Sequence, residues 1–148
     1  MSPDDPLALE RQVCFALTVA SRNIVAAYKP ALDPLGITHP QYLVLLALWK
    51  HRTLALGPLA QMLHQDASTL SPVIKRLEGQ GLVRRQRSFE DERRLDISLT
   101  PDGLALRSRA EQVPVEMARR LRMSVEELTE LHSSMVRVIE ASRRALDS

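Results

Sequence analysis

DASTLSPVIKRLEGQGLVRRQRSFEDERRLDISLT, residues 66–100, changes its period halfway along. In its first half Leu70, Val73, Ile74 and Leu77 recur at spacings of three and four, with Ser68, Ser71, Lys75 and Glu78 opposite. That pattern is an amphipathic helix beginning near Ala67 or Ser68. Pro72 is awkward inside it, because proline sits comfortably only in a first turn. Gly81 stands where a helix end needs a residue free to adopt positive φ. Beyond it LVRRQR and LDISL read as short strands, with Leu95, Ile97 and Leu99 alternating against Asp96 and Ser98. SFEDERR between them is too polar for a core and has the length of a hairpin loop. LALGPLAQMLHQ, just upstream, predicts a short helix over about residues 57–64. A short helix, a tight turn, an amphipathic helix and a basic two-stranded wing make a winged helix-turn-helix. Two such strands cannot form an independent sheet, so they must pack on the helices.

Outward from this stretch the chain reads as helix. Leu9, Val13, Leu17, Ala20, Ile24 and Ala27 mark one face of a helix from about Leu7 to near Tyr28, where Pro30 discourages continuation. Pro3 and Pro6 suit a loose start. Thr38 is a candidate N-cap for a strongly apolar helix running from His39 to about His51, with Pro40 early in it. Downstream, Thr100 caps a helix opening at Pro101, and Pro114 breaks or bends it. Ser124 and Glu127 form a capping box for a last helix through Leu128, Leu131, Met135, Val138, Ile139 and Leu146. The expected fold class is mainly α with a small β-hairpin, in one domain over 1–148. Residues of about 38–100 form the winged helix-turn-helix. Segments of about 7–30 and 104–148 carry apolar stripes that need burying, which makes a homodimer interface of the N- and C-terminal helices.

The totals suit this. With 148 residues, 45% hydrophobic and only 3% aromatic, the chain can build one core, mostly from aliphatic side chains. Its longest strongly apolar run, Tyr42 to Trp49, is too short to span a bilayer. MSPDDPLALE lacks the pattern of a signal peptide and one cysteine cannot form an intrachain disulfide, so the cytoplasm is expected. The four histidines show no close pair at metal-ligand spacing, and no metal or cofactor is expected.

The net charge is only +2, yet seven basic side chains stand between Lys75 and Arg94 against four acidic ones. A helix-turn-helix lays its second helix in the major groove of double-stranded DNA. Ala67, Ser68, Thr69 and Ser71 would approach base edges there, while Lys75 and Arg76 would hold phosphate. Arg93 and Arg94 at the wing tip could enter a minor groove, with Asp91 orienting Arg93 through a bidentate pair.

DERRLDISLT resembles the D-x-R-x-x-x-x-x-L-T wing signature of the MarR family of transcriptional regulators, through Asp91, Arg93, Leu99 and Thr100. The order of elements is similar along essentially the whole chain. The resemblance implies a DNA-binding homodimer with intertwined terminal helices, reading a pseudo-palindromic operator whose half-sites lie roughly 34–36 Å apart. QVCFALTVASR, AAYKPALDPLGIT, HPQYLVLLALW and DASTLSPVIKRLE further resemble the family's organic-hydroperoxide-sensing branch, in its one-cysteine form.

By position alone, Cys14 reads as a buried packing thiol. The branch resemblance reverses this: it makes Cys14 a sensor whose oxidation by an organic hydroperoxide to sulfenic acid releases a repressor from DNA. It also makes Tyr28 the phenol that hydrogen-bonds the cysteine. Cys14 and Tyr28 are about 21 Å apart in one helix at ~1.5 Å per residue, so Tyr28 would act from the other subunit. The chain departs from the branch at His39 and Thr18, where tyrosines are common. His39 could donate to the thiolate, help it as a cation, or simply cap its helix, and Arg11 lies one turn before Cys14. With no second cysteine, the sulfenate must react with a small cellular thiol, cyclise to a sulfenamide, or oxidise further. Two other functions fit less of the sequence. A repressor released by an anionic or phenolic ligand leaves Cys14 inert, and a thiol peroxidase lacks a resolving cysteine and a base constellation. The chain is not expected to be an enzyme.

Overall fold

The computed structural model describes residues 5–148, so the start at Pro3 lies outside the described residues. The elements are α1 (Val13–Leu32), α2 (His39–His51), β1 (Thr53–Ala55), α3 (Leu56–Met62), α4 (Ala67–Gly79), β2 (Val83–Arg87), β3 (Leu95–Leu99), α5 (Pro101–Ala110), α6 (Gln112–Leu121) and α7 (Val125–Asp147). The mainly helical winged helix-turn-helix is as expected, but the small hairpin is one part of a three-stranded antiparallel sheet ordered β1-β3-β2. β1 pairs Leu54 with Ile97, and β2 pairs Arg85 with the same residue from the other side. The chain divides after Val113 into two compact units.

Two helix boundaries differ from expectation at their ends. The first helix does not begin at Leu7: residues Leu9–Arg11 form a separate 3-10 turn, and Gln12 is extended. It also runs through Pro30 to Leu32. A proline in the last turn removes one hydrogen bond, and burial of Leu32 holds the turn that follows. Pro72 likewise stays inside α4, where it leaves the carbonyl of Ser68, an exposed residue, without an i+4 donor. After α5 the chain breaks at Glu111, ahead of Pro114, which sits in the first turn of α6.

In the first unit α2 is the centre of the core: Val44, Leu45 and Leu48 are fully buried, with Leu59, Ile74, Leu77, Val83 and Ile97 from α3, α4 and the sheet. Thr38 caps α2 as expected, and Gln41 completes a capping box by accepting the Thr38 N–H at 2.9 Å. Gln41 is the one buried polar residue among those described, 4% exposed. Its Nε2 donates to Gln80 Oε1 at 2.9 Å, and Gln80 Nε2 donates to the Gly36 carbonyl at 2.7 Å. These two amides tie the end of α4 to the α1–α2 connection. Gln41→Met keeps the volume and removes both bonds. We expect it to lower unfolding free energy by about 1 kcal/mol in urea titration, the net worth of hydrogen bonds whose other partners, Thr38 and Gln80, are exposed and can turn to water.

The end of α4 is tied a second way. Gly81, at φ 76°, lets the Leu82 N–H reach the Leu77 carbonyl at 3.0 Å and closes the helix. Thr100 Oγ1 then donates to the Gly81 carbonyl at 2.5 Å and caps α5 by accepting the Gly103 N–H at 3.0 Å. Gly103 packs directly on the Leu82 backbone, where a β-carbon would collide with the carbonyl oxygen. Its own carbonyl accepts the Trp49 indole N–H at 2.9 Å.

In the second unit Ser124 and Glu127 form the expected capping box, and α7 buries none of its residues. Leu131, Val136, Val138 and Ile139 are exposed along it. In the first unit Val13, Phe15 and Val25 are similarly exposed on α1.

Candidate DNA-reading head and thiol site

The reading head is assembled by α3, α4 and the sheet. An open cleft of about 610 Å³ is lined by Gly57 and Pro58 of α3, Ala67 and Ser71 of α4, and Arg87, Arg93 and Arg94 of the wing. It therefore brings together four residues expected from the sequence, with Arg87 as an addition. Ser68, Thr69, Lys75 and Arg76 are all exposed on α4, but none of them lines this cleft. Arg76 lines a groove with Thr38, the cap of α2, and Pro40 and Gln41 of α2, and Thr69 lines another with Val25 and His39. Ser71 Oγ donates to the Ala67 carbonyl at 3.0 Å, which leaves its lone pairs to accept.

The wing arginines are oriented differently from the expected bidentate pair. Asp91 Oδ1 accepts the Arg93 backbone N–H at 3.0 Å and meets Arg93 Nε only at 3.4 Å. The closer ion pair belongs to Arg94, whose Nε donates to Asp96 Oδ1 at 2.8 Å. Sequence reasoning also missed Arg85, which donates from its backbone N–H and its Nε to Glu78 at 3.0 Å each. These hydrogen bonds hold the Glu78 carboxyl below its usual range. They fasten β2 to α4, so wing and helix present one surface. Strand alternation could have put Arg85 on the helix side of β2, but nothing in it named Glu78.

Cys14 is exposed, not packed. It sits second in α1, whose cap residue Gln12 makes no side-chain cap bond. Gln12 Nε2 instead donates to the Pro6 and Ala8 carbonyls. The first amide N–H groups of α1 therefore have no acceptor within the helix, a setting that favours an anion. Thr18 Oγ1 donates to the Cys14 carbonyl at 2.9 Å and so directs its proton away from the thiol.

Within one chain Tyr28 meets not Cys14 but His39, ring centroids 4.8 Å apart, and Tyr42 at 5.8 Å. His39 is the first residue of α2, and its cap is Thr38. Half-burial pulls its pKa below the ordinary 6.5, so near neutrality it is a neutral donor and brings no positive charge to a thiolate. The unfolded chain binds a proton there that the folded chain resists. Stability from this group is complete above pH 6.5 and falls as pH drops from there toward the folded value. Comparing urea midpoints at about pH 7.5 and about pH 5.5 should show less acid loss in His39→Phe than in wild type.

Among the described residues no helix is long and apolar enough to cross a membrane, and no group of three His, Cys, Asp or Glu side chains could hold a metal ion.

Comparison with known proteins points the same way as this geometry. The MarR family pattern matches residues 37–95. The chain is 45% identical over 136 residues to the organic hydroperoxide resistance transcriptional regulator of Bacillus subtilis (strain 168), covering 92% of each. It superimposes on reduced AbfR bound to DNA with a TM-score of 0.82 and 30% identity, covering 98% of this chain and 99% of that one. On disulfide-formed AbfR the TM-score is 0.63, with 31% identity and coverage of 95% and 93%. The family match across the winged helix and the nearly full-length similarity have one meaning: the chain belongs to the MarR family.

Proposed function

We propose that the chain is a cytoplasmic transcriptional repressor, homodimeric on a pseudo-palindromic operator, that leaves DNA when an organic hydroperoxide oxidises Cys14. One observation carries the reading: the only thiol stands exposed in the first turn of α1, in a chain 45% identical to an organic hydroperoxide resistance regulator. In the reaction the Cys14 thiolate attacks the terminal oxygen of the hydroperoxide. The O–O bond breaks, an alcohol leaves with one proton, and the sulfur is oxidised by two electrons to sulfenic acid. A small cellular thiol then condenses with it, releasing water and forming a mixed disulfide.

The apolar side chains exposed on α1 and α7 support a dimer built from about residues 7–30 and 104–148, since a second copy would remove them from water. Residues of about 38–100 then form the reading head. Tyr28 and His39, already in ring contact, serve the partner's thiol. Ala67, Ser68, Thr69 and Ser71 approach bases, Lys75 and Arg76 hold phosphate, and Arg93 and Arg94, braced by Asp91 and Asp96, enter a minor groove. Neither role requires an enzyme's turnover.

A second reading has its own support. Val25, His39, Pro40, Leu43, Leu63, Thr69 and Val73 line an apolar cleft of about 310 Å³ between α2 and α4, large enough for a small phenolic ligand. A titration with cumene hydroperoxide separates the two, using DNA from upstream of the protein's own gene. Release at about one equivalent per subunit, with one oxygen added to the Cys14 peptide in mass spectra, supports the sensor. Retention on DNA after complete oxidation of Cys14 would transfer the role to the cleft.

A further inference from the structure

Phe89 is 97% exposed at the tip of the wing, one of two phenylalanines in the chain. It contributes nothing to the core, so a polar residue would serve the fold as well. The tip that carries it is nevertheless well braced. The Ser88 N–H donates to the Arg94 carbonyl at 2.9 Å, the Arg94 N–H to the Asp91 carbonyl at 2.9 Å, and the Glu90 N–H to Ser88 Oγ at 3.2 Å. Arg87 Nη1 also reaches the Glu92 carbonyl at 3.4 Å. An aromatic ring is thus displayed on a fixed turn, beside arginines that line the cleft against α4.

Charge explains why a ring is useful there. From Arg87 to Arg94 the tip holds Arg87, Arg93 and Arg94 against Glu90, Asp91 and Glu92, a net charge of zero. The positive excess of the reading head lies elsewhere, on α4 and β2, so attraction to phosphate gives the tip itself little hold. Apolar side chains enter minor grooves as wedges between base steps, and flexible pyrimidine–purine steps accept them most easily.

We propose that Phe89 is a specificity-determining DNA contact: an apolar wedge that the wing inserts into the minor groove beside Arg93. This rests on the reading of the chain as a DNA-binding protein. The contact is sequence-selective through deformability, and it makes the flanking minor-groove steps of each half-site part of the operator.

The test measures operator affinity across a salt series for wild type, Phe89→Ala, Phe89→Leu and Arg93→Ala, with end-labelled DNA reporting bending by energy transfer. Removing a wedge should weaken binding about tenfold at every salt concentration, leave the salt slope unchanged and reduce the bend. Phe89→Leu should restore most of both, whereas Arg93→Ala should flatten the slope. A Phe89→Ala protein that binds and bends like wild type overturns the wedge, as does one whose only change is in dimer association or salt slope. A wild type that does not prefer its upstream DNA to unrelated DNA overturns the DNA-binding reading and the wedge with it. Melting curves of the exposed-site variants should match wild type, which separates contact from folding.

Discussion

Cys14→Ser is expected to stay on its operator at hydroperoxide concentrations that clear wild type from DNA. The variant keeps a small polar side chain in the first turn of α1, where serine is well tolerated, so the helix start is preserved. Cys14 is exposed, and an exposed substitution of this kind should change stability by no more than about 0.5 kcal/mol. What it removes is the only sulfur that forms a thiolate; the remaining sulfurs are the five methionines. The loss of response should therefore be complete, with no second thiol to supply a residual one. Fluorescence anisotropy of labelled upstream DNA gives the measurement, at equal protein concentrations and increasing cumene hydroperoxide. Release of the variant at the wild-type dose would assign sensing to methionine oxidation or to a ligand. Wild type, once oxidised and treated with excess small thiol, should regain DNA in two steps: one thiol forms the mixed disulfide with loss of water, and a second displaces Cys14 from it as the free thiol.

Gly103→Ala is expected to be the most destabilising of the single substitutions considered. Two effects oppose each other. Alanine is the better helix former by about 1 kcal/mol, which favours the variant. Against this, the new β-carbon would occupy the space of the Leu82 carbonyl oxygen, with a Leu99 methyl also close. Leu82 belongs to the backbone that closes α4 and cannot swing aside as a side chain does. Relief requires α5 to lift, which strains the Thr100 cap and the Trp49 bond together. We expect a net loss of at least about 3 kcal/mol, or on the order of 10 °C in melting temperature for a chain of this size. Calorimetry at fixed protein concentration checks it. A melting temperature within about 2 °C of wild type would mean that α5 moves away easily, contrary to the packing described.

Local signals in the sequence were reliable guides where the structure is local. Thr38 and Ser124 cap their helices as expected, His39–His51 is a helix with those bounds, and β2 and β3 fall where the period changes to two. β1 was not legible because Thr53–Ala55 is too short to show alternation and exists only by pairing with β3. Pro30 misled: it costs one backbone bond, which burial of Leu32 outweighs, whereas the helix through Pro72 begins at Ala67 as expected. Within the candidate site, residue types were enough to single out the arginines and the lone thiol as candidates. Their partners were another matter. Glu78 with Arg85, Asp96 with Arg94, and Gln41 with Gln80 meet only after the chain has folded. The family resemblance supplied Tyr28, while its contact with His39 is visible only in three dimensions.

The strand order β1-β3-β2 leaves β2 at one margin of the sheet and β1 at the other. An open margin invites another chain to add a strand, the first step of aggregation. β1 limits that risk by being three residues long. β2 limits it with Arg84 and Arg87, whose like charges repel a second copy of the same strand, Arg85 being paired with Glu78. The wing's basic character thus also keeps the protein dispersed at high concentration. Neutralising those arginines to weaken nucleic-acid binding would remove this protection, so insolubility has to be separated from lost affinity in any such experiment.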